Sequence, residues 1–254
     1  WIAQRKTVLS MLFFLLSLFY YLRFDRTSRS GFYWLSATLF ILAMLSKGSV
    51  VGLPVVILLC IWWLRGTISK RDIIRSIPFL VVSAAMSVVE IWFQYNRAIS
   101  ADVVRTDSFL SRLAGAGWAV WFYLYKAVLP INLTFIYPRW KIDPANPVSY
   151  VPGLLLIVLL VLAWWYRRGW GRSVFFALSF YIVMLLPVLG FFTIYFMRYS
   201  PVADHYQYVS IIGLISFTAA VCYNILGCYG LRGVNTAKAI GVLAAAIFAI
   251  SAWR

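Results

Sequence analysis

The chain has 254 residues, 63% of them hydrophobic, 19% aromatic and only 12% charged, with a formal net charge of +16. A mean hydropathy of +0.87 excludes an ordinary soluble domain and indicates an integral membrane protein. Its basic residues are scattered among apolar runs rather than gathered on one soluble face, so the charge points to anionic membrane lipids and not to nucleic acid.

In chain order, apolar segments fall at 8–23, 32–46, 49–64, 77–95, 114–131, 151–166, 173–196, 208–229 and 237–253. They approach the ~20 residues a bilayer needs and lack the period-2 alternation of barrel strands. The expected fold is all-α: a polytopic transmembrane helix bundle with about eight or nine apolar segments, forming a single integral membrane domain over residues 1–254. The loops Arg23 to Arg29, Arg65 to Arg75, Arg167 to Arg172 and Arg232 to Lys238 are short and basic, which makes them cytoplasmic by the positive-inside rule. Tryptophans followed by arginines at Trp62-Trp63-Leu64-Arg65 and Trp164-Trp165-Tyr166-Arg167-Arg168 mark the same interface. Asn96 and Arg167 then lie on opposite faces with two apolar segments between them. Either 114–131 is re-entrant or interfacial, or one of the assigned segments or faces is wrong; 114–131 is the weaker span, because of Lys126, Pro130 and the proline-rich Tyr137 to Pro152 stretch. The stretch Asn96 to Arg112 has the composition of a short amphipathic helix on the outer surface.

Ten of the 23 lysines and arginines fall on the non-cytoplasmic side: Arg5, Lys6, Lys47, Arg97, Arg105, Arg112, Lys126, Arg139, Lys141 and Arg198. The rule normally depletes that face, so an anionic ligand there, a phosphate or diphosphate, accounts for them; the alternative is pairing with Asp102, Asp107, Asp143 and Asp204. Lys47 is the sharpest case, held in a tight turn between two apolar segments. Glu90, deep in its own segment, reads best as a structural partner of an arginine. Ser200-Pro201-Val202-Ala203-Asp204-His205-Tyr206-Gln207-Tyr208 places an acid, the lone histidine and two tyrosines before a long apolar run, with Asp204 and Tyr208 at helical spacing. It is a site or a polar loop cap with an interfacial tyrosine belt. Cys60, Cys222 and Cys228 read as small core residues. No metal-ligand spacing, phosphate-binding glycine loop or serine triad occurs, and the residues call for no cofactor.

Three blocks carry a family resemblance: Trp1-Ile2-Ala3-Gln4-Arg5-Lys6-Thr7-Val8-Leu9-Ser10; Leu45-Ser46-Lys47-Gly48 with Leu53-Pro54; and Leu186-Pro187 with Ala203-Asp204-His205-Tyr206-Gln207-Tyr208. Tyr123-Leu124-Tyr125-Lys126-Ala127-Val128-Leu129-Pro130 adds a weaker fourth. In these blocks the chain resembles the membrane part of the transmembrane-and-TPR protein O-mannosyltransferase family and its bacterial relatives, of the GT-C class. His205 stands where an arginine is common. The resemblance implies a fragment of a longer chain, with the catalytic acidic loop upstream of Trp1 and a TPR array beyond the membrane part. It implies inverting transfer of a sugar from a polyprenyl-phosphate donor to a protein or glycan acceptor on the non-cytoplasmic face, with an upstream carboxylate as general base. Arg5, Lys6, Lys47, Arg105, Asp204, His205 and Tyr206 are then the expected phosphate-pocket residues. A multi-pass protein of the bacterial inner membrane is favoured over one of the endoplasmic reticulum. A non-catalytic scaffold of a polysaccharide or export machine, and a lipid-linked sugar transporter, remain as alternatives.

The topology is tested by single-cysteine labelling of intact cells with a membrane-impermeant reagent. Positions 47, 102 and 205 should label, whereas 26, 71, 168 and 232 should not; labelling at 71 but not at 102 inverts the assignment.

Overall fold

A computed structural model of the chain describes residues 4–99 and 107–228, excluding the side chains of residues 98 and 225–228. Arg105, Asp102, Arg232, Lys238 and the apolar segment 237–253 lie outside the described residues. Among the described residues the elements are helical: α1 (Arg5–Thr27), α2 (Ser30–Ser46), α3 (Leu53–Arg65), α4 (Lys70–Phe93), α5 (Phe109–Val128), α6 (Val151–Trp165), α7 (Gly171–Leu185) and α8 (Ile211–Cys228), with short 3₁₀ turns between some of them. Five helical stretches are long and apolar enough to cross a membrane: Arg5–Thr27, Gly48–Arg65, Lys70–Arg97, Pro147–Trp165 and Gly171–Val188. Ser30–Ser46 and Ile211–Asn224 are apolar but shorter. The helix α5 is not among the five; Arg112, Lys126 and a run of small residues from Ala114 to Gly117 dilute it.

Boundaries differ from the apolar runs where local chemistry intervenes. The helix α4 starts seven residues before the run at 77, because Ser69 and Asp72 form a reciprocal capping box at its N-terminus. The run 173–196 ends as a helix at Leu185, where Pro187 cannot continue it and the chain turns through Leu186–Val188. Cys60 is buried as expected, but Cys222 is exposed.

The residues divide into two compact units, the boundary falling within α7: Trp1–Ser108 with Ile182–Arg198, and Phe109–Tyr181 with Tyr199–Arg254. In the first unit α1 and α2 form the principal helix pair. Their seam carries small polar residues. Ser17 Oγ donates to the Ser36 carbonyl at 2.8 Å, Ser36 Oγ donates back to the Ser17 carbonyl at 2.7 Å, and Ser10 Oγ donates to the Ala43 carbonyl at 3.2 Å. Small side chains let membrane helices approach, and their hydroxyls find partners that hydrocarbon cannot supply. At the end of the unit bearing the basic loops, Tyr21, Phe24, Tyr33 and Phe79 pack edge to face, with Tyr21–Phe79 centroids 5.5 Å apart. Arg65 there bridges Asp25 and Asp72.

In the second unit α6 is apolar all round. Leu154, Leu155, Ile157, Val158 and Val161 are each more than half exposed, whereas Pro152 and Ala163 are buried. That is the surface of a helix meant for lipid. Its start lies against the middle of α5, where Trp121 Nε1 donates to the Pro152 carbonyl at 2.9 Å. A Cβ on Gly117 would stand 2.7 Å from the Gly153 backbone nitrogen, so the two backbones touch only because residue 117 lacks a side chain. Gly117→Ala should therefore destabilise this unit by ~1–3 kcal/mol, read as a lowered thermal-unfolding midpoint in micelles, because backbone cannot yield as a side-chain tip can. Gly153→Ala, where an added Cβ meets nothing within 4 Å, is the control and should lie near wild type.

Candidate functional site

Three elements of the first unit bring charge to one end of it. The first turn of α1 carries Arg5 and Lys6, both exposed, and no acid. This is the helix end whose unpaired N–H groups favour anions, so two cations there find no counter-charge within the turn itself. Thr7, the next residue, is buried and donates to Gln4 Oε1 at 3.0 Å. Lys47 is the single extended residue (φ −166°) between α2 and the 3₁₀ turn Gly48–Val50. Its amide donates to the Ala43 carbonyl at 3.0 Å, its carbonyl accepts from Ser10 Oγ at 3.4 Å, and its Nζ donates to Thr7 Oγ1 at 3.0 Å. Backbone and side chain are thus both tied to α1. From α4, the Glu90 carboxylate lies directly on Gly48; any Cβ at residue 48 would overlap it.

The Lys47 ammonium is lowered to about 8 from the usual lysine range. Burial is the main cause, the nearby charge of Lys6 acts in the same direction, and Glu90 opposes both. Glu90 therefore faces lysines, not the arginine expected of it. Lys6 and Glu90, both exposed, flank the half-buried Lys47, and the three carry more positive than negative charge, the electrostatic arrangement that a phosphate suits.

The remaining predicted residues belong to the second unit. Asp204, His205 and Tyr206 lie in the 3₁₀ turn Asp204–Gln207; α8 begins only at Ile211, so Asp204 and Tyr208 do not share an α-helical face as their spacing suggests. The Tyr137 hydroxyl donates to Asp204, its oxygen 2.9 and 2.8 Å from Oδ1 and Oδ2, and itself accepts from the Thr134 amide at 3.2 Å. The Tyr137 amide donates to Ser200 Oγ at 3.0 Å, and the Ala203 amide donates to the Tyr123 hydroxyl at 3.1 Å. Lys126 is buried at the end of α5. Its Nζ donates to the carbonyls of Ile131 and Asn132 at 2.7 and 3.0 Å and lies 5.3 Å from the Tyr137 ring centroid. Asn132 adopts φ 51°, a left-handed conformation that asparagine tolerates better than most residues. Asp204 is raised above the usual carboxylate range by burial, against the Tyr137 hydrogen bond and the Lys126 charge. Burial pushes the Tyr206 phenol up to about 12, and the His205 and Tyr206 rings meet edge to face at 4.6 Å.

The structure thus groups Arg5, Lys6 and Lys47 in one unit and Asp204, His205 and Tyr206 in the other. Arg105 lies outside the described residues. Thr7 and Tyr137, which orient Lys47 and Asp204, escaped the sequence reading: Thr7 sits inside an apolar pattern and Tyr137 in a loop without periodicity.

A lysine whose folded pKa lies below its unfolded value of about 10.5 binds fewer protons when folded. Stability should rise with pH between about 8 and 10.5 and be flat in this group's contribution below 8. NMR titration of ¹³C-dimethylated lysines should show one resonance, lost in Lys47→Arg, titrating near 8. Glu90→Gln should lower that midpoint, because it removes the opposing carboxylate. A Lys47 midpoint near that of a free lysine refutes its burial.

No family model, curated protein or solved structure matches this chain.

Proposed function

We propose that the chain is the membrane part of a glycosyltransferase that moves a sugar from a polyprenyl-phosphate donor to a protein or glycan acceptor on the non-cytoplasmic face. The observation that carries this reading is the Lys47 amine, held by Thr7 in a turn at the end of an apolar helix beside Lys6 and Glu90. Glu90 offsets only part of what burial and Lys6 cost this ammonium, and an anionic ligand would offset more. The apolar helices beside it supply the second half of the argument, since a phosphate bound at that depth would be carried by a lipid, and the resemblance to the GT-C class favours a polyprenyl one.

In this mechanism the acceptor hydroxyl attacks the anomeric carbon while the bond from that carbon to the carrier phosphate oxygen breaks. The electron pair leaves with the phosphate, and the acceptor proton passes to a carboxylate in the loop expected upstream of Trp1. Lys47, Lys6 and Arg5 offset the charge growing on the leaving phosphate, and a cation in a partly dry site does so more strongly than one in water. Arg105 has the same proposed role. Asp204, held by Tyr137, and its neighbours His205 and Tyr206 order the segment before α8. With α5 left uncrossed and the shorter apolar helix α2 taken as a crossing beside the five longer stretches, the proposed path alternates between faces as the basic loops require: α1 inward, α2 outward, α3 inward, α4 outward, then α6 inward and α7 outward. The loop after α5 and the Asp204 turn both fall on the non-cytoplasmic side in this scheme. The bacterial inner membrane is the proposed location.

In the full-length protein Lys47→Ala should reduce transfer from a polyprenyl-phosphate sugar by roughly ten- to a hundredfold with expression intact, the loss expected from one charged hydrogen bond to phosphate. Lys47→Arg should recover part of that activity. Undiminished transfer in Lys47→Ala refutes the phosphate role.

A further inference from the structure

The loop that follows α5 builds a second concave site. A groove of about 350 Å³ is lined by Trp118, Trp140, Lys141, Ile142, Asn146, Val148 and Ser149, all in the second unit. Its volume lies at the lower end of the range of about 300–1,000 Å³ typical of small-molecule sites. The walls are held before any ligand arrives. Ser111 Oγ on α5 donates to the Ile142 carbonyl at 3.0 Å, and Ile142 Cδ1 lies 3.3 Å from where a Cβ on Gly115 would stand. The far wall is a closed turn: the Ala145 amide donates to Asp143 Oδ1 at 2.9 Å, the Val148 amide to Asn146 Oδ1 at 3.0 Å, Ser149 Oγ to the Asp143 carbonyl at 2.8 Å, and the Tyr150 hydroxyl to the Pro144 carbonyl at 2.9 Å. Trp140 is fixed edge to face on Phe122 at 5.5 Å, and Phe122 on Tyr137 at 4.9 Å. The groove therefore adjoins the Tyr137–Asp204 pair through two aromatic contacts.

The chemistry of the lining selects its occupant. Two indoles border one cavity of monosaccharide scale, with an amide, an ammonium and a hydroxyl around them. Trp118 is 44% exposed and Lys141 is also exposed, so both side chains are open to a ligand entering the groove. Aromatic faces accept the C–H face of a pyranose ring, while amide and hydroxyl groups meet its hydroxyls. A lipid tail would need no polar rim, and a bare phosphate would need no indoles.

We infer that this groove binds a pyranose ring, oriented on Trp118 and Trp140, with Lys141 set to meet an acidic substituent of the sugar. The inference rests on the transferase reading only for the source of that sugar, which is either the lipid-linked donor or the acceptor glycan.

The full-length protein in phosphatidylcholine nanodiscs, free of sugar detergents, is titrated with methyl α-mannopyranoside and with methyl β-glucuronide while indole fluorescence is followed. Saturable quenching is expected, with dissociation constants of about 1 mM or tighter. Trp118→Ala should weaken both ligands about tenfold, and Lys141→Ala should weaken the glucuronide alone about tenfold. Both positions are exposed, and an unchanged melting temperature confirms folding. In the transfer assay, Trp118→Ala raising KM for the lipid-linked donor places the donor sugar in the groove; raising KM for the acceptor places the acceptor there. No saturable quenching, quenching unaffected by Trp118→Ala, or quenching by glycerol 3-phosphate in place of the sugars overturns the inference. Lys47-dependent transfer without a Trp118-dependent sugar response sinks the groove and leaves the transferase standing. Trp118-dependent sugar binding without transfer does the reverse.

Discussion

Hydrocarbon offers no hydrogen-bond partner, so every polar group carried into the bilayer must find one within the protein. This constraint arranges the first unit. Its clearest expression is the reciprocal pair between Ser17 and Ser36, each hydroxyl donating to the other's carbonyl across the α1–α2 seam. Interhelical hydrogen bonds of this kind average only ~0.6 kcal/mol each in membranes. Their contribution to geometry is larger than their contribution to stability. Small side chains allow close approach, and paired hydroxyls fix the register of one helix against the other. The apolar residues then turn outward, as Val8, Leu9, Leu12 and Leu45 do, which reverses the soluble-protein pattern.

The position of Lys47 follows from that register. Ser10, on the same face of α1 as Ser17 and about two turns earlier, donates to the Ala43 and Lys47 carbonyls, so the turn after α2 is tied to the first turns of α1. The Lys47 side chain then lies along α1 and reaches Thr7, not solvent. Burial lowers its proton affinity, and Glu90 recovers part of it from the α4 side. Gly48 is what admits the carboxylate, since any larger residue would occupy its place. The result is a cation that is half-buried, oriented and only partly compensated.

The second unit solves a different problem. The stretch between α5 and α6 has little helix of its own and leaves many backbone groups to satisfy. Lys126 caps two of its carbonyls, Tyr137 and Ser200 join it to the segment before α8, and the Asp143–Tyr150 turn closes on itself. The prolines at 138, 144, 147 and 152 remove donors that would otherwise be left over. A loop held in this way can present Trp118, Trp140 and Lys141 at fixed spacing, which an unanchored loop could not do.

Composition and apolar run length by themselves determined the helical membrane class, the location of most helices and the weakness of 114–131 as a span, because bilayer thickness and the absence of water act on the local sequence. Turn chemistry alone singled out Lys47 and the Asp204 turn. Tertiary structure decided the partners. That Glu90 faces Lys47 and Gly48, that Thr7 receives the Lys47 ammonium and that Tyr137 takes Asp204 all join positions 40 or more residues apart. No local pattern encodes such pairings, since they follow from which helix faces meet. The same holds for the tryptophan groove, whose walls come from α5 and a turn more than twenty residues later. Sequence dictates which groups must be satisfied, and only the packing of the helices dictates by whom.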